Sequence, residues 1–71
     1  MSRFVAIEFS ADASDNRPLG VSGAFLTGQY SDRDIAAFPT IDAALHAAGQ
    51  APNRRDGCTL EAIGQSRRAA A

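Results

Sequence analysis

The most regular hydrophobic pattern in the chain lies at residues 3–9, where apolar positions alternate with a mixed set of residues. One set is aliphatic and aromatic and consists of Val5, Ile7 and Phe9. The other set consists of Phe4, Ala6 and Glu8 and ends in a charged residue. Alternation with a period of two is typical of a β-strand that buries one face. The pattern therefore predicts a first strand from Arg3 to Phe9.

Residues 10–20 lack this alternation and are rich in turn and cap formers, namely Ser10, Asp12, Ser14, Asp15, Asn16, Pro18 and Gly20. Such a run predicts a loop, and loops of this length often carry binding residues. Residues Val21 to Tyr30 predict a second strand. Gly23 and Gly28 interrupt it, as glycines do at a bulge or a close backbone approach.

The segment 31–38 has two interpretations. As a turn, Ser31 to Asp34 closes a hairpin into a short third strand, Ile35 to Phe38. As a capping box, Ser31 caps a short helix whose third residue is Asp34. Pro39 favours an extended Phe38 in both cases. The hairpin is the preferred interpretation.

A helix is predicted after Thr40, which is a good N-cap residue. The apolar residues Ile41, Ala44, Leu45 and Ala48 match the i, i+3, i+4, i+7 spacing of one helix face. Asp42 in the first turn and His46 near the last both suit the helix dipole. Gly49 can end the helix, and Pro52 prevents its continuation.

A last strand is predicted from Thr59 to Ile63, with Leu60 and Ala62 on one face. The element order is then β-β-β-α-β. We expect an α+β fold in which an antiparallel sheet of three to four strands packs on one amphipathic helix. Residues 1–71 form a single domain in this interpretation, with 65–71 a flexible tail.

Composition adds a limit on stability. A chain of 71 residues with four Phe, one Tyr and no Trp builds only a small core. Self-association would add stability by mass action, so a homodimer is possible. Cys58 is the one cysteine, which excludes an intramolecular disulfide. No signal-peptide pattern or membrane span is evident, so a cytoplasmic location is expected.

The inventory of reactive residues argues against an enzyme. His46 and Cys58 are the only histidine and cysteine, and nothing in the sequence brings them together. Too few ligands exist for a zinc site, and no calcium-loop spacing occurs, so no metal is expected. The pair Gly20 and Gly23 lacks the lysine of a phosphate loop. No cofactor is predicted.

The distribution of charged residues along the chain indicates candidate binding residues. The formal net charge is −1, with −3 in residues 1–50 and +2 in residues 51–71. This balance argues against direct binding of nucleic acid. The acidic candidates for partner binding are Asp32, Asp34 and Asp42. The basic candidates are Arg54 and Arg55 on a loop, with Arg67 and Arg68 on the tail.

The function predicted from these features is protein–protein binding without catalysis. In size, net acidity and lack of motifs, the chain resembles the small inhibitors made by phages and mobile elements, including anti-CRISPR and anti-restriction proteins. That resemblance lies in overall character, since no residue pattern carries it, and it implies occlusion of a host factor's working surface. The alternatives are a nucleic-acid accessory protein that uses Arg54 and Arg55, and a small-ligand or enzyme role that uses Cys58 and His46.

Overall fold

The computed structural model describes residues 3–65 and shows an α+β fold with three strands. The strands, a short 3₁₀ helix and the α-helix are β1 (Arg3–Phe9), β2 (Arg17–Pro18), η1 (Asp32–Asp34), α1 (Ile41–Gly49) and β3 (Thr59–Gln65). The sheet is antiparallel in the order β2-β1-β3. The predicted fold class is confirmed, with the strand count at the lower end of the expected range.

The sheet has a covered face and an open face, on opposite sides of its central strand β1. Pairing with β3 places Val5 opposite Ile63 and Ala6 opposite Ala62. Because side chains alternate along a strand, Phe4, Ala6 and Glu8 share one face with Leu60 and Ala62. The helix packs on this covered face. The buried core there consists of Ala6, Leu19, Phe25, Ala44, Ala48 and Ala51.

Helix α1 begins and ends close to where its sequence predicts. The Thr40 hydroxyl accepts a hydrogen bond from the Ala43 backbone N–H at 3.1 Å, as expected of an N-cap. Ala44 and Ala48 are fully buried, whereas Ile41 is 48% exposed. The predicted apolar face of the helix is therefore buried at Ala44 and Ala48, whereas its first residue, Ile41, is exposed.

The predicted strand from Val21 to Tyr30 is wrong, because the chain turns back within it. The Gly23 N–H donates to the Gly20 carbonyl at 2.9 Å, which closes a tight turn, and Gly23 has a φ of 93°. Only glycine adopts that φ at little cost. The second strand lies instead at Arg17–Pro18, within the predicted loop, where it pairs with Glu8 and Ile7.

The predicted hairpin at 31–38 is also wrong, and the capping-box alternative is the observed structure. The Asp34 carboxylate accepts from the Ser31 backbone N–H at 2.9 Å, and η1 follows Ser31. Residues 35–38 are extended but form single bridges rather than a strand. Ile35 bridges Gly20, and Phe38 exchanges two 2.8 Å backbone hydrogen bonds with Phe4.

The loop after α1 is tied to the rest of the domain by Asn53. Its amide Oδ1 accepts from the Phe25 N–H at 2.8 Å, and its Nδ2 donates to the Phe25 carbonyl at 2.9 Å. The Asn53 carbonyl in turn accepts from Arg17 Nη2 at 2.8 Å. One side chain thus takes the place of a neighbouring strand for the backbone of buried Phe25.

The last strand continues to Gln65, two residues beyond its predicted end, because β1 pairs with it along its whole length. The rest of the predicted tail, with Arg67 and Arg68, lies outside the described residues. Within residues 3–65, no helix has the length and apolar character that a bilayer span requires.

Replacing Asn53 with alanine should lower the free energy of unfolding by about 2 kcal/mol, because two polar backbone groups of Phe25 lose their partners. Urea denaturation followed by circular dichroism measures this change. Asn16→Ala is the matched control, since Asn16 is a loop amide that makes one long, exposed hydrogen bond to Ser10. Equal stabilities of the two variants would show that the Asn53 amide does not hold the loop.

Candidate functional site

An apolar cleft lies on the open face of the sheet, opposite the helix. Its cavity has a volume of about 360 Å³ and opens to solvent. The cleft is lined by five apolar residues and two that carry polar groups: Val5, Ile7, Pro18, Ile35 and Ile63, with Asn16 and Tyr30. A concave apolar surface with few polar groups is the usual form of a binding site.

The sheet register builds the floor of the cleft. Val5 and Ile7 point to the open face of β1, with Ile63 of β3 opposite Val5 and Pro18 of β2 opposite Ile7. Three strands therefore contribute side chains to one surface. The alternation of apolar residues in β1 was visible in the sequence, but the neighbours supplied by β2 and β3 depend on the register.

Backbone hydrogen bonds fix the side of the cleft that comes from the loop. The Ala36 N–H donates to the Leu19 carbonyl and the Val21 N–H donates to the Asp34 carbonyl, both at 2.9 Å. These bonds hold Ile35 next to β2. Tyr30 precedes the 3₁₀ helix η1 and remains 42% exposed. The loop side thus combines a fixed aliphatic residue with an accessible aromatic one.

Two of the predicted acidic residues are sequence neighbours of residues that line this cleft. Asp32 and Asp34 lie in η1, between the cleft residues Tyr30 and Ile35. Glu61, which the sequence did not single out, is exposed on the open face opposite Ile7. Asp42 lies apart from them, in the first turn of the helix on the covered face. Their role in binding a partner stays a prediction.

The basic candidates lie on the loop after α1 and differ in their surroundings. Arg54 is exposed. The Arg55 guanidinium already donates within the chain, from Nε to Glu8 at 2.7 Å and from Nη1 to Asp15 at 2.8 Å. A partner that binds Arg55 would have to compete with these carboxylates. Its role in binding also stays a prediction.

Sequence reasoning missed the most buried charge among the described residues, that of Glu8. Its side chain is fully buried on the covered face of β1. Glu8 Oε1 accepts from Arg17 Nε at 2.8 Å and from Arg55 Nε at 2.7 Å, and Oε2 accepts from the Arg55 backbone N–H at 2.7 Å. The available signal was a glutamate inside an otherwise apolar strand in a chain rich in arginine.

These contacts set the ionisation of Glu8. Burial alone would raise the pKa of the carboxyl group, since it disfavours the charged form. The hydrogen bonds from Arg55 and Arg17, with the positive charge of Arg17, outweigh burial and hold the pKa of Glu8 below its ordinary value. Glu8 is therefore a charged structural group at neutral pH, linking β1, β2 and the loop after the helix.

The loop between β1 and β2 satisfies its own polar groups. Asp12 Oδ1 accepts from the Ser14 hydroxyl at 2.7 Å and from the Ser10 hydroxyl at 3.1 Å. The hydrogen bonds from Ser14 and Ser10 lower the pKa of Asp12. The Asp12 carboxylate therefore stabilises the local turn formed by Ser10 to Ser14.

The two residues considered for catalysis occupy different elements. His46 is exposed in the last turn of α1, and Cys58 is half-buried directly before β3. No hydrogen bond joins them among residues 3–65. That part of the chain also contains no group of three or more His, Cys, Asp or Glu side chains able to hold a metal ion.

The open face is suited to holding an apolar group, and the charged residues on or next to it in sequence are Asp32, Arg33, Asp34, Glu61 and Arg3. Comparisons with protein-family models, curated proteins and solved structures found no match to this chain.

Replacing Glu8 with glutamine should lower the free energy of unfolding at pH 7 by about 3 kcal/mol, because it leaves the buried Arg17 without its counter-ion. The natural protein should also lose stability in acid. Since the folded pKa of Glu8 is depressed, its contribution is complete above the ordinary value of 4.5 and is lost as the pH falls through the lower folded value. Denaturation curves at several pH values measure both effects.

The control for this experiment is Asp42→Asn, which removes an exposed carboxylate of the helix. It should change stability by less than about 0.5 kcal/mol. Asp12 also has a lowered pKa, so Glu8→Gln should reduce the acid sensitivity without abolishing it. An unchanged pH profile in Glu8→Gln would contradict a charged Glu8.

Proposed function

We propose that this chain is a protein-binding module without catalytic activity, and that its open-face cleft receives an apolar side chain of a protein partner. The observation that carries the proposal is the cleft itself. Most of its lining is aliphatic, yet Tyr30 and Ile63 remain 42% and 45% exposed. An accessible apolar surface of this kind in a small domain is typical of an interaction site.

The charges around the cleft specify the partner further. Asp32 and Asp34 lie in η1, between the cleft residues Tyr30 and Ile35 in sequence and with Arg33 between them, and Glu61 shares the open face of the sheet. Opposite charges across an interface accelerate association and orient the partner. The expected partner segment therefore carries an apolar side chain with lysine or arginine beside it. Tyr30 suits this role because aromatic residues with a polar tip are enriched at interfaces.

In this proposal the chain acts by occlusion, as implied by its resemblance to small inhibitors of phages and mobile elements. Binding would cover a basic working surface of the partner. The support is the combination of small size with an apolar open face, beside which the acids Asp32, Asp34 and Glu61 outnumber the bases Arg3 and Arg33. The homodimer allowed by the sequence also remains a proposal, and the geometry that bears on it is the outer edge of β3.

Two other functions have less support. A small apolar ligand is favoured by the volume of the cleft, about 360 Å³, which is within the usual range for ligand sites. Binding of a hydrophobic dye that a protein partner does not displace would support it. The nucleic-acid alternative is weakened because Arg55 is held by Glu8 and Asp15.

Replacing Tyr30 with serine should weaken partner binding about tenfold or more, because the partner's apolar side chain loses an aromatic contact. The probe is a displayed random-peptide library selected against the natural protein. Fluorescence anisotropy then measures the affinity of the selected peptides. We expect these peptides to combine an apolar residue with lysine or arginine.

The matched control is Ile41→Ser, since Ile41 is 48% exposed but lies on the helix, away from the cleft. It should leave peptide affinity within about twofold. Equal losses in the two variants would show that the selected peptides bind elsewhere. Failure to enrich any peptide would argue against a peptide-binding cleft.

The double variant Asp32→Arg, Glu61→Arg should slow association several-fold at low salt and reduce its salt dependence, because it reverses charge beside the cleft. Asp34 is left intact since its carboxylate accepts from Ser31. Surface plasmon resonance across a salt series measures the effect. Asp42→Arg is the control, and association rates equally sensitive to that change would contradict an acidic binding face.

A further inference from the structure

Besides the cleft, the sheet has a second feature that could bind a partner, namely the outer edge of β3. Strand β3 pairs with β1 on one side, and within residues 3–65 no strand pairs with its other side. The edge is seven residues long and contains neither proline nor lysine, which commonly protect such edges. An edge of this kind can pair with another strand.

The register identifies the backbone groups that face outward. Phe4 exchanges hydrogen bonds with Phe38, and the Leu19 N–H donates to the Ala6 carbonyl at 2.9 Å. The even residues of β1 therefore bond away from β3, and the odd residues bond toward it. Ile63, opposite Val5, thus bonds to β1, which leaves the N–H and C=O groups of Leu60, Ala62 and Gly64 at the outer edge.

We propose that two copies of this chain associate through antiparallel pairing of their β3 strands, with Ile63 on the two-fold axis. In this register Ala62 of each copy forms a hydrogen-bonded pair with Gly64 of the other. The two Ile63 side chains, each 45% exposed in the single chain, then stand directly opposite one another. Facing β-branched side chains stabilise a strand pair.

Charge and apolar character select this register among those that the outward groups permit. Centring the pair on Glu61 would set two carboxylates opposite each other, which is destabilising. Centring it on Ala62 would place each Glu61 opposite an Ile63. With Ile63 on the axis, like charges do not meet, because position 65, which then pairs with Glu61 of the second copy, carries no charge.

The same register joins the two clefts. Val5 and Ile63 are cross-strand neighbours within one chain. A two-fold axis at Ile63 extends this pair into an apolar row of four residues, Val5, Ile63, then Ile63 and Val5 of the second copy. The second copy thereby adds a wall to the side of the cleft formed by β3, and the six-stranded sheet presents one continuous open face.

The expected association is weak. A stable interface usually buries about 1,600 Å² in total, and the edge of a single strand offers less. We expect a dissociation constant of roughly 10–100 μM, reached at the concentrations used in sedimentation experiments. Sedimentation equilibrium over a concentration series should therefore show a monomer–dimer equilibrium in the natural chain.

Cysteine cross-linking tests the register. The test variant is Ile63→Cys in a Cys58→Ser background, oxidised in a glutathione buffer. Residues opposite each other at a non-hydrogen-bonded site are close enough for a disulfide. We expect disulfide-linked dimers to form at least about tenfold faster than in the matched control Ile41→Cys, which places an equally exposed cysteine on the helix.

Glu61→Cys in the same background reports on the register. Faster cross-linking at position 61 than at position 63 would overturn the proposed axis. Ala62→Pro tests the edge itself, because it removes an outward N–H that β1 does not use. Sedimentation should then show monomers whose circular dichroism spectrum is native. A natural chain that stays monomeric, or a dimer that survives Ala62→Pro, would refute the proposal.

This test is separate from that of the cleft. Ala62→Pro removes the edge but leaves Tyr30 and the cleft floor in place, whereas Tyr30→Ser alters the cleft on its loop side, away from β3. Loss of dimers with retained peptide binding would support both proposals. Loss of peptide binding in Tyr30→Ser with retained dimers would show that the two surfaces act independently.

Discussion

The rest of the structure depends on one constraint, which is that the buried carboxylate of Glu8 must be paired. An uncompensated charge in the covered face of the sheet would cost more than a domain of this size can tolerate. Arg17 and Arg55 supply the pairing, and each comes from a different segment of the chain. Glu8 therefore determines where β2 and the loop after the helix lie relative to β1.

The network also limits what the basic residues can do. Arg17 lies with its guanidinium carbon 5.4 Å from the centre of the Phe25 ring, and its Nη2 reaches the Asn53 carbonyl. Arg55 extends the network to Asp15 on the surface. Both guanidinium groups thus connect loops that have little regular structure. In a chain with few large apolar residues, polar bonds of this kind supplement a core built mostly of alanine.

A single helix covers one face of the sheet and leaves the other face with apolar residues from three strands. This asymmetry links the two proposals, because Ile63 belongs both to the cleft and to the edge strand. A second copy on the edge of β3 would extend the cleft rather than fill it. The open face would then be an interaction surface with two-fold symmetry, suited to a symmetric partner or to two identical partner segments.

Local patterns in the sequence determined the elements whose own residues specify them. The alternation at residues 3–9, the Thr40 cap with its i, i+3, i+4, i+7 spacing, and the last strand all occur close to where they are predicted, because periodicity and capping are local properties. Tertiary structure decided the rest. Segment 21–30 folds as a turn rather than as the predicted strand, the sheet register brings the cleft residues together from three strands, and the partners of Glu8 lie 9 and 47 residues away in the sequence. Contacts between residues so distant in sequence leave no local pattern, because they form only when folding brings separate segments together to pair the buried charge.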